Sequence, residues 1–250
     1  QPGAPCAITQ LTVAGFIALQ VGAVIFYTTS AWAYRRRFFA HVAAWLTFFP
    51  YTLAWIRFGP PLSPVQFALV WVGLAAAMLG IGFVLDRSRV RYAHGPYLAG
   101  YAFAGFALLW STSDRVVNIY TLAATIVIAL ASHTVAHYSR HRSFDDLINF
   151  VWKGRTQGTG RAQGSPLQRA VRTAFLFFAA YAFPVWLAQV MAHNAVPLAW
   201  RGLGLALAAP IYIAFGLAAR RVRSEYTWPL YSMGYALTAI GAMVAFDNVL

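Results

Sequence analysis

Long apolar runs along this chain are separated by short polar breaks. A helix needs about 20 mostly apolar residues to cross the hydrocarbon core of a bilayer. Stretches of that kind run from Ala7 to Tyr34, Phe38 to Phe58, Pro64 to Leu85, Pro96 to Trp110, Val116 to Tyr138, Val171 to His193, Pro197 to Ala219 and Trp228 to Val249. The fourth is short in its apolar core. In lipid a helix satisfies its own backbone, which an open strand cannot do. The pattern therefore predicts an all-α integral membrane protein of about eight transmembrane helices.

Composition points the same way: 60% of the 250 residues are hydrophobic and 10% charged, against roughly 25% charged in ordinary soluble domains. The formal net charge of +13 invites a nucleic-acid reading, but the positions of the charges remove it. One face of the membrane receives Arg35, Arg36, Arg37, Arg87, Arg89, Arg91, Arg220, Arg221, Arg223 and seven basic residues between 139 and 172; the other receives Arg57, Arg115 and Arg201. This 16-to-3 division alternates correctly across eight spans, so the positive-inside rule places the N-terminus outside and the 139–170 loop in the cytoplasm. Anionic lipid headgroups are the natural partners of these arginines, and no nucleic acid is needed to explain them. The basic residues are 18 Arg and one Lys, Lys153, a bias that fits a GC-rich bacterial genome and hence a bacterial plasma membrane. The single Cys6 excludes an internal disulfide. The chain starts at Gln1 rather than Met, as after removal of a signal peptide or within a longer protein.

In the cytoplasmic stretch, Ser143-Phe-Asp-Asp146 resembles a capping box. It predicts a short interfacial helix over 147–152, followed by a Gly-, Gln- and Thr-rich linker over 154–165.

An internal repeat is visible at an offset of 134. Gly82, Arg87, Arg89, Tyr92, Tyr97, Gly100, Tyr101 and Ala102 meet Gly216, Arg221, Arg223, Tyr226, Tyr231, Gly234, Tyr235 and Ala236, which is eight identities over the 21 positions 82–102. Phe49-Pro50 meets Phe183-Pro184. The arginines mark the cytoplasmic boundary, and Tyr97, Tyr101, Tyr231 and Tyr235 are expected at headgroup depth. The glycine between each tyrosine pair admits a close neighbouring helix. A four-helix unit preserves orientation, so the repeat is parallel. The predicted organisation is an outside N-terminus and first helix over 1–37, a complete repeat unit over 38–138, the cytoplasmic loop over 139–170 and an incomplete second unit over 171–250. Leu250 aligns with Val116, where the first copy's last helix begins, so the native chain is expected to continue past Leu250 or to have lost a ninth helix. Pro50 and Pro184 fall inside their helices and are expected to kink them.

Chemistry is sparse. Asp86, Asp114, Glu225 and Asp247 all fall at helix ends and no Lys falls in a span, which argues against an ion-coupled transporter and excludes a retinal Schiff base. Gly158-Thr-Gly160 lacks the Lys-Ser/Thr of a phosphate loop. The best candidate ligands are His133, His137 and His41. The first two, with His141, lie four apart on one stripe, and His41 is near the same end of the second helix. Histidines from two helices at one depth could hold haem or bacteriochlorophyll; a diiron site would need further His motifs that are absent. Most of the Trp and Tyr read as belt and packing residues. The leading expectation is a non-enzymatic polytopic subunit or scaffold that packs with other membrane subunits. The alternatives are a haem- or bacteriochlorophyll-binding subunit of a respiratory or photosynthetic complex, and a carrier of a neutral or lipid-like solute.

Overall fold

The structure, a computed structural model, describes residues 7–88, 92–138, 166–222 and 227–246. The expected interfacial helix and linker after Ser143 lie outside these residues, as do Arg89, Arg223 and the ends of the chain. Every element among the described residues is helical: α1 (Ala7–Tyr34), α2 (Arg37–Leu46), α3 (Phe48–Phe58), α4 (Phe67–Arg87), α5 (His94–Ser111), α6 (Arg115–Tyr138), α7 (Pro166–His193), α8 (Leu198–Val222) and α9 (Thr227–Phe246). Six stretches are long and apolar enough to cross a membrane: Val13–Tyr34, Arg37–Phe58, Phe67–Arg87, Arg115–Val135, Thr173–His193 and Leu198–Arg221.

The stretch Arg37–Phe58 is broken at Thr47, between α2 and α3. Pro50 has no N–H to offer the carbonyl of Leu46, and prolines disrupt helices in this way. Two threonines flank the break and bond back to the preceding turn: Thr47 Oγ1 to the Ala43 carbonyl at 2.9 Å and Thr52 Oγ1 to that of Phe48 at 2.8 Å. Such back-bonds bend helices further. Pro184 behaves differently, because α7 runs through it without interruption. The carbonyl it orphans, that of Ala180, accepts a hydrogen bond from the Tyr212 hydroxyl of α8 at 2.8 Å, with both residues buried.

By contacts the chain divides into two compact units, 1–111 and 112–250. In the first, α1 packs on α2 and α3, α2 lies against α5, and α4 and α5 form a tight pair. In the second, α6 runs along α7, and α8 and α9 form the tight pair. This division is one of packing and groups α6 with α7; the repeat register, read from sequence alone, groups α6 with α2 to α5. Leu74, Ala75, Met78, Ala99 and Phe103 belong to the first unit's buried cluster. The residues 134 positions on, Ala208, Ala209, Tyr212, Met233 and Leu237, belong to the second's.

Two connections are tight enough to force left-handed backbone on residues with a side chain. Arg35, in the two-residue turn between α1 and α2, has φ 53°. Ala195, after α7, also has φ 53°. The Val196 N–H reaches back to the Met191 carbonyl at 3.0 Å, and the Asn194 side-chain amide bonds the Val190 carbonyl at 2.8 Å. That is a Schellman closure with Ala in the position glycine usually takes. The start of α6 is capped by Asp114, whose Oδ1 accepts from the Val116 and Val117 N–H groups at 2.8 and 3.0 Å. Its carboxylate is thus a helix cap.

Two substitutions test these assignments. Ala195→Gly should stabilise the protein by about 1 kcal/mol, read as a higher unfolding midpoint in detergent, because a left-handed Cβ costs that much. Tyr212→Phe should destabilise it by about 1–3 kcal/mol, because a buried carbonyl loses its partner; an unchanged midpoint would refute the assigned role.

Candidate functional site

In each tight helix pair a glycine of one helix receives a tyrosine ring of the other. A Cβ placed on Gly82 of α4 would lie 3.0 Å from the Tyr97 ring of α5. One on Gly216 of α8 would lie 2.6 Å from the Tyr231 ring of α9. Lower down, Gly100 lies against Leu79 and the Ala75 carbonyl, and Gly234 against Ile213 and the Ala209 carbonyl. Glycine is required because the partner ring or backbone occupies the space of a side chain. Tyr97 is accordingly buried, its ring stacked on that of the half-buried Tyr101 at 6.5 Å. Tyr231 is half-buried, whereas Tyr235 is 67% exposed.

In the first unit the arginine-marked end of this pair carries a polar cluster. Asp86, the penultimate residue of α4, and His94, the first of α5, are both buried. Asp86 lies close enough to Tyr97 for an electrostatic interaction. A Cβ on Gly95 would meet the Ala40 carbonyl at 2.8 Å and the His41 nitrogen at 3.1 Å, so α5 begins directly against the backbone of α2. His41, half-buried, is therefore next to the start of α5. Arg37, one turn earlier, is half-buried, and Arg35, Arg36 and Arg87 are exposed. The second unit lacks this cluster: the residues at offset 134 from Asp86, His94 and His41 are Arg220, Trp228 and Phe175.

Further along α2 and α5 the lining becomes wholly apolar. Trp45, Leu46, Phe48 and Phe49 face Ala102, Phe103 and Phe106 around a groove of about 340 Å³ beside the Thr47 break. Phe103 is buried, while Trp45, Phe49 and Phe106 are exposed. The rings interlock, with Phe48 5.3 Å from Phe103, Trp45 edge-on to Phe103 at 5.6 Å, and Trp71 behind them 4.9 Å from Phe106. Such a surface accepts hydrocarbon and offers a polar headgroup nothing.

Of the expected ligands, His41 belongs to the first compact unit and His133, half-buried on α6, to the second; the His137 side chain lies outside those described. Arg221 is exposed near the end of α8. Among the described residues no three His, Cys, Asp or Glu side chains gather as a metal site would require. One feature of α6 was missed in the sequence: Asn118, Thr121, Thr125 and Ser132 are all buried. They recur at three-, four- and seven-residue steps, so the helical stripe was legible, although the histidines on the same helix are the more conspicuous polar residues. On α7, Trp186 Nε1 and Gln189 Oε1 are buried without a hydrogen-bond partner among the described residues.

No known family, curated protein or solved structure matches the chain.

The two glycine–tyrosine contacts predict unequal costs. Gly216→Ala should destabilise the protein by about 1–3 kcal/mol and Gly82→Ala by less, since overpacking scales with the displacement it forces. Equal unfolding midpoints for both variants and the parent would show that the rings yield freely.

Proposed function

We propose that the chain is a non-enzymatic, polytopic subunit of a bacterial plasma-membrane assembly, which packs through its first helix against another membrane component. In this reading the chain crosses the membrane about eight times with its arginine-rich ends in the cytoplasm. It is one leading helix followed by a parallel repeat, with four spans in the first unit and three in the second. Support for eight spans comes from α5 and α9, which pair with α4 and α8 in addition to the six apolar stretches. Support for the repeat comes from the matched contacts Gly82–Tyr97 and Gly216–Tyr231, and from cluster positions that recur at the same offset.

The observation that carries the subunit role is the state of α1. Only 6% of its apolar window is buried, against 44% for α4 and α6. A Cβ placed on Gly15 or on Gly22, two turns apart on one stripe, would have nothing within 4 Å. Glycine weakens a helix by about 1 kcal/mol relative to alanine. Facing fluid lipid, that loss brings no return; facing another helix, it permits close backbone approach. Anionic lipids on the arginine side and neighbouring membrane subunits are the expected partners.

The test is a Gly22→Cys substitution in a Cys6→Ser background, cross-linked in native membranes and extracted in mild detergent. A discrete adduct to a second polypeptide is expected. A particle containing one chain, with position 22 open to a lipid-soluble maleimide, would sink the reading.

A further inference from the structure

The aromatic groove is specific to the first unit. Trp45, Phe48, Phe103 and Phe106 have Ala179, Ala182, Leu237 and Ile240 at offset 134, although the glycines, tyrosines and core positions of the helix pair correspond. The second pair packs without these rings, so packing two helices does not require them. The polar cluster of Asp86, His94 and His41 is likewise confined to the first unit.

The arginine turn and the groove lie along one line. From Arg37 the helix α2 descends to Trp45, eight residues or about 12 Å on at 1.5 Å per residue. Parallel to it, α5 descends from Gly95, beside Ala40, to Phe103, beside Trp45 and Phe48. The groove is thus about 12 Å below the arginine turn, close to the midplane of a core roughly 30 Å thick. A ligand reaching from one to the other needs an anionic head and an apolar tail. Cationic side chains at the headgroup level select negative phosphates, and the groove itself offers only hydrocarbon and ring faces.

We propose that this groove holds one acyl chain of an anionic phospholipid whose phosphate lies against Arg35, Arg36 and Arg37, as a bound lipid distinct from the fluid annulus. The inference rests on the membrane-spanning reading above. The flat walls from Trp45, Phe49 and Phe106 are exposed in the isolated chain, and a chain of methylenes seated between them buries the same apolar surface from both sides.

The test uses the full chain in detergent, titrated with dioleoyl phosphatidylglycerol or dioleoyl phosphatidylcholine and followed by native mass spectrometry. One phosphatidylglycerol should stay bound at collision energies that strip every phosphatidylcholine. Ala102→Phe, which fills the groove from α5, should lower retention about ten-fold with an unchanged unfolding midpoint. Trp45→Ala should lower it similarly by removing a wall. The triple variant Arg35→Gln, Arg36→Gln, Arg37→Gln should keep a lipid but abolish the preference for phosphatidylglycerol. Equal retention of both lipids by the parent, or retention unchanged in Ala102→Phe, would overturn the proposal; a partner helix copurifying in the groove would do the same. A separate carbonate extraction of the membranes distinguishes a failure of the spanning reading, which would release the chain, from a failure of the lipid site, which would leave it inserted.

Discussion

Within hydrocarbon there is no water to take up an unpaired carbonyl, so each proline in a span must be answered by some other donor or by a local break. The two matched prolines meet this constraint in different ways. At Pro50 the helix gives way at Thr47, and threonine hydroxyls fold back on the carbonyls around the break. At Pro184 the helix continues, and the freed Ala180 carbonyl is taken by Tyr212 from the next helix. The first solution separates α2 from α3 beside the aromatic groove. The second links α7 to α8 by a buried hydrogen bond.

Against that difference stands a common element. In both units a glycine on one helix receives the tyrosine ring of the next, and a second glycine lower down receives an aliphatic side chain and a carbonyl. Removing side chains at these points brings two helices close enough for dispersion between their backbones to matter, which is the main attraction between helices that share a lipid solvent. What surrounds the shared element varies freely. The first unit adds buried Asp86 and His94 and a set of aromatic rings; the second adds the polar face of α6.

Hydropathy located the described helices to within a few residues, because the apolar length needed to cross a bilayer is a physical threshold that few loops reach by accident. The offset of 134 likewise pointed to the glycines that do the packing. Side-chain direction was less legible. Tyr97 stands beside the arginines in the sequence, and its ring is buried against Gly82 of the neighbouring helix, a contact that only the tertiary structure shows. His94 and Asp86 read as boundary residues and are buried; next to His94, α5 starts against the backbone of α2 at Ala40, a tertiary contact with no local signal. The histidines envisaged for a cofactor belong to different compact units, His41 to the first and His133 to the second.

The turn between α1 and α2 has a mechanical consequence. Arg35 and Arg36 alone join the two helices, and a link of that length reaches about 10 Å when fully extended. It has no slack for one helix to slide along the other. A tilt applied to the exposed first helix is therefore passed to α2, and through the backbone contact at Ala40 and Gly95 to the head of α5. The least buried of the six apolar stretches is in this sense a lever on the first unit's tight helix pair.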